Sequence, residues 1–287
     1  MGSHMAQNLL KKGYQVIAYD LSTEAMKTII EAGGQSASSP AEVASQTKQL
    51  VTMLPSSPHV MEVYTGTDGI FSTVQAGSLL IDSSTIDPAV SKDMAALADT
   101  HGANFMDAPV SGGVQAAKDG NLTFMVGGRE AAYEEAVTLL SNMGKNVVHC
   151  GEVGTGETAK ICNNMMLAIH MIGLSEATNL GVKLGMDPKL LAKVMNMSTG
   201  RSWSSEMYHP YPGIVETAPS NRNYEGGFGS ALMAKDLGLA QNAATSTKCP
   251  TPLGSAAHQI YRLMCNSGYD KKDFSSAILF LQEKDTK

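Results

Sequence analysis

The chain has 287 residues, 43% hydrophobic and 17% charged, with 21 basic against 27 acidic side chains and a formal net charge of −6. That composition belongs to a globular chain of one or two domains with a sizeable core; the acidic balance argues against nucleic acid, and no apolar run nears the roughly 20 residues that span a bilayer, so no membrane partner is expected. Cys150, Cys162, Cys249 and Cys265 form no CxxC or Cys/His cluster, which argues against a disulfide framework and a zinc site.

In chain order, a helix is predicted over residues 5–12 and a strand over 14–20. Residues 22–32, closed by Gly33-Gly34, read as a helix with its C-cap. Ser39-Pro40-Ala41-Glu42 is a capping box with proline at the first helical position. Strands follow over 49–54 and 78–82, and Asp87-Pro88 opens a helix running to about Thr100. Further strands are predicted over 104–107, 122–126 and 146–149. Short apolar strands alternating with helices imply a mostly parallel sheet covered on both faces.

Beyond residue 151 the strand signals stop. A long apolar helix from near Gly156 to Leu184, a helix opened by Asp187-Pro188, a loop over 198–229 and further helices follow. The expected organisation is therefore α/β over residues 1–151, a Rossmann-like doubly wound sheet, and an all-α domain over 152–287, joined through the long helix. The 18 methionines, many on these helices, read as adaptable core.

Asp20 ends the first predicted strand about twenty positions after Gly2. An acid placed so in a dinucleotide-binding fold bonds the ribose hydroxyls and repels a 2′-phosphate, favouring NAD over NADP. The usual strand, Gly-x-Gly-x-x-Gly and helix are represented here only from the last glycine, Gly2. Met1-Gly2-Ser3-His4-Met5 reads either as the native end of that fingerprint in a shortened gene product or as a Gly-Ser-His-Met vector remnant. Without the first strand two neighbours lose a ladder partner, so the chain alone is expected to bind NAD weakly and fold poorly, which calorimetric titration tests.

Two features carry chemistry. Asp107-Ala108-Pro109-Val110-Ser111-Gly112-Gly113 follows a predicted strand; its successive glycines let backbone N–H groups converge on a carboxylate, with the Ser111 hydroxyl as a further donor, though an unliganded tight turn has the same sequence. Gly154-x-Gly156-x-x-x-Lys160-x-x-x-Asn164 opens the long helix with Lys160 and Asn164 at i, i+4 on one face. A lysine entering so apolar a helix either snorkels to solvent or is desolvated into a proton acceptor.

With Lys235-Asp236-Leu237, these motifs make the chain resemble the β-hydroxyacid dehydrogenase family over essentially its whole length. Asp82-Ser83-Ser84-Thr85-Ile86-Asp87-Pro88, Cys162-Asn163-Asn164-Met165 and Gly200-Arg201-Ser202-Trp203-Ser204-Ser205 narrow the resemblance to members acting on 3-hydroxyisobutyrate. The resemblance implies NAD-dependent oxidation of that hydroxy acid to methylmalonate semialdehyde, a step of valine breakdown, in the mitochondrial matrix. Lys160 would be the acid/base and Asn164 would orient it; Ser111, Gly112 and Gly113 would hold the carboxylate. Lys235 would sit by nicotinamide and substrate with Asp236 fixing it, and Leu54, Pro55, His59 and Thr85 would lie along the cofactor with Gly2 and Asp20. Trp203 and Phe228 would either close over a small branched substrate or pack as core.

No metal is called for, since hydride transfer with a lysine base needs no Lewis acid. Family members pair through the helical domain, implying a homodimer or homotetramer. The rivals are another family member, such as a tartronate or succinic semialdehyde reductase, and a non-catalytic scaffold relative; retention of Lys160, Asn164 and the Ser111-Gly112-Gly113 loop speaks against the latter.

Overall fold

The computed structural model describes residues 1–282 and divides into two compact units, Met1–Lys160 and Ile161–Lys287. The first unit runs α1 (Gly2–Lys11), β1 (Ile17–Ala18), α2 (Thr23–Glu31), β2 (Gln35–Ser36), α3 (Pro40–Gln46), β3 (Gln49–Thr52), α4 (Ser57–Thr65), β4 (Leu79–Asp82) and α5 (Pro88–Thr100). It continues through β5 (Asn104–Asp107), β6 (Val110–Ser111), α6 (Gly113–Asp119), β7 (Leu122–Gly127), α7 (Glu130–Leu140) and β8 (Gly144–Gly151) into α8 (Thr155–Lys183). The helix starts are those the capping residues specify. Ser22 accepts from the Ala25 N–H, Ser39 from Glu42 with Pro40 behind it, and Asp87 from Ala89 with Pro88 behind it.

Strands β3, β4 and β5 are parallel neighbours. Their alternation builds a core on each face: β4 sends Leu79 and Ile81 into a cluster with Met5, Phe124 and Leu140, and Leu80 into another with Val60, Tyr64 and Phe105. The sheet is less uniformly parallel than its sequence pattern predicts, because β7 pairs antiparallel with β5 and β6 while parallel with β8. The connection from Ser111 to Leu122 holds only the short α6, and a parallel crossover needs a dozen or more residues.

A second correction concerns the strand predicted over 14–20, of which only Ile17 and Ala18 are laddered, against β2 in a separate parallel pair. Asp20 stands outside it because its Oδ1 turns back to accept the Ser22 N–H (2.8 Å), an Asx turn that ends the extended segment. Among the described residues β1 has β2 and β3 has β4 as its sole strand neighbour.

The boundary between the units falls inside α8, after Lys160. The second unit contains the rest of α8, then α9 (Pro188–Asn196), α10 (Trp203–Met207), α11 (Ser230–Ser246), α12 (Pro252–Met264) and α13 (Ala277–Phe280). Its core joins Met171, Met233, Leu237, Tyr261, Met264 and Phe274. The segment over 198–229 is not all loop: Ser202 and Ser205 form a reciprocal capping box that starts α10, and a 3-10 turn covers Pro219–Arg222. Directly after it Asn223 (φ 55°) and Tyr224 (φ 57°) are both left-handed, an uncommon state for a buried aromatic residue. No helix among the described residues is long and apolar enough to cross a membrane, and the four cysteines are free.

Candidate active site

In the first unit the loops that follow the parallel strands gather the chemistry, as expected at the carboxyl ends of such a sheet. Asp82, buried at the end of β4, accepts from Thr52 Oγ1 (2.7 Å) and from Ser84 Oγ (2.6 Å) through Oδ1. Ser84 Oγ in turn receives the Leu54 N–H (2.8 Å), so the loops carrying Leu54, Pro55 and Thr85 are tied together. His59, exposed near the start of α4, bonds through Nδ1 to Ser56 Oγ (2.7 Å). Gly2 opens α1, and Asp20 is exposed with Oδ1 on the Ser22 N–H.

These residues are of the kind that fits a dinucleotide: a solvent-facing carboxylate after β1 suits ribose hydroxyls, and the loops after β3 and β4 are interlocked by hydrogen bonds. Among the described residues no group of three or more His, Cys, Asp or Glu is placed to hold a metal ion.

The start of α8 is held from two sides. Asp107, the buried last residue of β5, accepts the Gly154 N–H at Oδ1 (2.6 Å) and the Glu157 N–H at Oδ2 (2.8 Å). The buried Glu157 side chain accepts the Ile86 N–H at Oε2 (3.2 Å). Helix N-termini leave unpaired N–H groups that favour a carboxylate. Burial nonetheless pushes Asp107 up to about 6, with the Asp82 charge adding to the rise and its backbone hydrogen bonds opposing it. Gly127 makes the close approach possible, for a Cβ there would lie 2.5 Å from Asp107 Oδ1. Lys160 follows on the first turns of α8 and is 7% exposed.

Four residues after Asp107, Ser111 ends β6, and Gly112 turns the chain into α6 at φ 134°, where a Cβ would meet that of Ala116 at 2.5 Å. Only glycine fits there. Ser111 is half-buried, and Gly112 and Gly113 are exposed.

In the second unit, Asn164 Nδ2 donates to Asp236 Oδ2 on α11 (2.6 Å), and Lys235 Nζ lies 3.1 Å from Asp236 Oδ1. Asp236 thus bridges Lys235 and Asn164, a link that neither motif alone suggests. Trp203, half-exposed, stacks on Tyr208 (centroids 5.1 Å), which stacks on Phe274 (5.5 Å); Phe228 meets Phe274 edge-on (5.9 Å). Asp273 underlies this row, taking Tyr208 Oη and the Phe228 N–H at Oδ2 (2.8 Å each) and the Ser275 N–H and Oγ at Oδ1. Burial raises the Asp273 carboxyl and, aided by the nearby Asp273 charge, the Tyr208 phenol. Asp107, Glu157, Tyr208 and Asp273 were missed from sequence; the only signal was that Asp107 heads the Asp107-Ala108-Pro109 stretch already noted.

A sequence profile described as the NAD binding domain of 6-phosphogluconate dehydrogenase matches residues 1–151, and one described as NAD-binding of NADP-dependent 3-hydroxyisobutyrate dehydrogenase matches 154–281. Mitochondrial 3-hydroxyisobutyrate dehydrogenase of Mus musculus is 61% identical over 285 residues, 99% of this chain and 85% of that protein. An NAD-dependent L-serine dehydrogenase of Pseudomonas aeruginosa is 45% identical over 96% of this chain and 92% of its own. The solved structure of Mycobacterium tuberculosis 3-hydroxyisobutyrate dehydrogenase with L-serine superposes with a TM-score of 0.93 at 38% identity, covering 99% of this chain and 96% of that one. With an α/β dinucleotide-binding unit followed by a helical one and matches spanning nearly every residue, the chain belongs to the 3-hydroxyisobutyrate dehydrogenase family of NAD-dependent oxidoreductases.

Proposed function

We propose that the chain oxidises 3-hydroxyisobutyrate to methylmalonate semialdehyde in valine catabolism, with Lys160 as acid/base. The observation that carries this reading is the buried Lys160 on a helix start anchored by Asp107, in a chain that also keeps the Ser111-Gly112-Gly113 turn. When bound, NAD accepts the hydride that leaves the hydroxyl-bearing carbon. Lys160 Nζ takes the hydroxyl proton as that hydride departs, and Asn164, oriented by Asp236, holds the reacting oxygen. Ser111 Oγ and the N–H groups of Gly112 and Gly113 hold the substrate carboxylate, and Lys235, fixed by Asp236, serves the nicotinamide and substrate. Trp203 and Phe228 shape the branched end. Gly2, Asp20, Leu54, Pro55, His59 and Thr85 line the cofactor, with Asp20 selecting NAD over its 2′-phosphate form. The functional boundary is assigned at 151/152.

Lys160→Ala should lower kcat by roughly 10²- to 10⁴-fold, the usual worth of a general base. Turnover within a few-fold of the parent would remove Lys160 from the role. A second reading is favoured by the L-serine in the names of two relatives: L-serine also joins a carboxylate to a primary alcohol through one carbon, and the ratio of kcat/KM for the two acids ranks them.

The mitochondrial names of the curated relatives support a mitochondrial matrix location. Self-association through the helical unit is supported by an apolar stripe along α9 and its C-cap, where Leu190, Val194 and Met197 are 52%, 45% and 78% exposed. Leu190→Asp with Val194→Asp should shift the protein to a smaller species in sedimentation if that stripe pairs copies of the chain.

A further inference from the structure

We infer that Asp107 is the positioning residue that fixes the spacing between Lys160 and the Ser111–Gly113 turn. The inference rests on the roles assigned to those residues above, and all of them lie in the first unit. One side chain joins the two segments. Through its backbone, Asp107 continues directly into Ala108-Pro109-Val110 and Ser111; through its carboxylate, it grips the start of α8, at Gly154 just before the helix and Glu157 in its first turn. Lys160 is three residues beyond Glu157, about 4.5 Å along the helix axis. The acid/base and the carboxylate anchor are therefore referred to one point, with few rotatable bonds between.

The grip demands aspartate. Each oxygen accepts a different backbone N–H, at 2.6 and 2.8 Å, so an asparagine would turn its amide NH2 against one of the two donors. Glutamate is a methylene too long for a carboxylate already within 2.5 Å of where a Gly127 Cβ would stand. Asp107 is itself laddered between Asp82 on β4 and Gly127 on β7, which leaves the backbone no freedom to compensate. Misplacing reacting groups by about 1 Å costs on the order of 10²-fold in rate.

The test compares kcat/KM for 3-hydroxyisobutyrate with that for its methyl ester, which carries no negative charge and so depends less on the donors of the Ser111–Gly113 turn. Asp107→Asn should lower the value for the acid by about 10²-fold and for the ester by tenfold or less, collapsing the preference for the acid. Gly127→Ala, whose Cβ would press on Asp107 Oδ1 (2.5 Å) and on the Gly156 backbone nitrogen of α8 (2.8 Å), disturbs the same carboxylate–helix contact without removing its charge; it should move the ratio the same way, and an unchanged ratio counts against the inference even if Asp107→Asn fails to fold. Equal losses on both substrates, or an unchanged ratio in Gly127→Ala, would overturn the inference and leave Asp107 as scaffold. Lys160→Ala is run beside them: if it retains turnover, the acid/base assignment fails on its own, whatever the acid-to-ester ratio does.

Discussion

Among the buried carboxylates of the two units, Asp107 in the first and Asp273 in the second are wired differently. Asp107 takes only backbone N–H groups, one from Gly154 just before α8 and one from Glu157 in its first turn. Asp273 takes two hydroxyls as well as two backbone N–H groups, and its donors come from α10's exit, the segment before α11 and its own turn. The first arrangement aims a helix; the second closes a loop on itself. A carboxylate that holds one rigid element transmits small displacements to whatever that element carries, whereas one that gathers several segments decides whether they are ordered at all. Substitutions at Asp107 should thus be read mainly in rate and those at Asp273 mainly in stability.

The largest stability effect expected is at Asp273→Ala, which leaves the Tyr208 and Ser275 hydroxyls and two N–H groups without their acceptor, the Ser275 pair fully buried. A loss of about 3 to 5 kcal/mol is expected in denaturant unfolding. If Asp273→Ala unfolds like the parent while Asp107→Asn does not, the distinction collapses.

The pH dependence sharpens the comparison by sign. Asp107 is raised from 3.8 to about 6, so its share of stability is fully present below about pH 4 and is lost as pH rises through 6. Asp82, Glu157 and Cys150 are ionisable residues near it. In the second unit His209, 1% exposed, is depressed by burial from 6.5 to about 4. Its share is present above 6.5 and lost as pH falls towards 4. The parent-minus-Asp107→Asn stability difference should fall between pH 4 and 6, by on the order of 2 to 3 kcal/mol, while the parent-minus-His209→Gln difference should rise. Parallel slopes would contradict both assignments.

A smaller effect is expected from Tyr208→Phe, which removes one of the four donors to Asp273 and keeps the ring between Trp203 and Phe274. A loss of about 1 to 2 kcal/mol with little change in kcat is expected from paired unfolding and rate measurements.

Much of this arrangement was legible in the residues. Ser39-Pro40 and Asp87-Pro88 place helix starts by local chemistry, and the alternation of Leu79, Leu80 and Ile81 places a strand buried on both faces. Lys160, Asn164 and the Ser111-Gly112-Gly113 turn stood out because their spacing is local. What stayed hidden depends on partners distant in sequence. The short ladder of β1 follows from Asp20 turning back on Ser22, β6 and α6 from a connection too brief for a parallel crossover, and the Asp236 link to Asn164 from two helices 72 positions apart. Asp107 sits 47 and 50 positions from the groups it holds, and backbone donors leave no trace in side-chain identity.

The left-handed pair Asn223 and Tyr224 bears on how this protein can be improved. A non-glycine residue in that conformation costs roughly 1 kcal/mol or more, and asparagine bears it far more easily than tyrosine. The obvious engineering move, glycine at 224, would relax the backbone but delete a buried ring whose hydroxyl is bonded to the Pro210 carbonyl (2.8 Å). The backbone carbonyl of the same residue accepts the Asp273 N–H (2.8 Å), so the strained torsion and the buried carboxylate are inherited together. A stabilised variant is more readily sought at Asn223, where glycine relieves the torsion and removes no buried group; position 224 is one where selection for thermal robustness and selection for an ordered aromatic row pull in opposite directions.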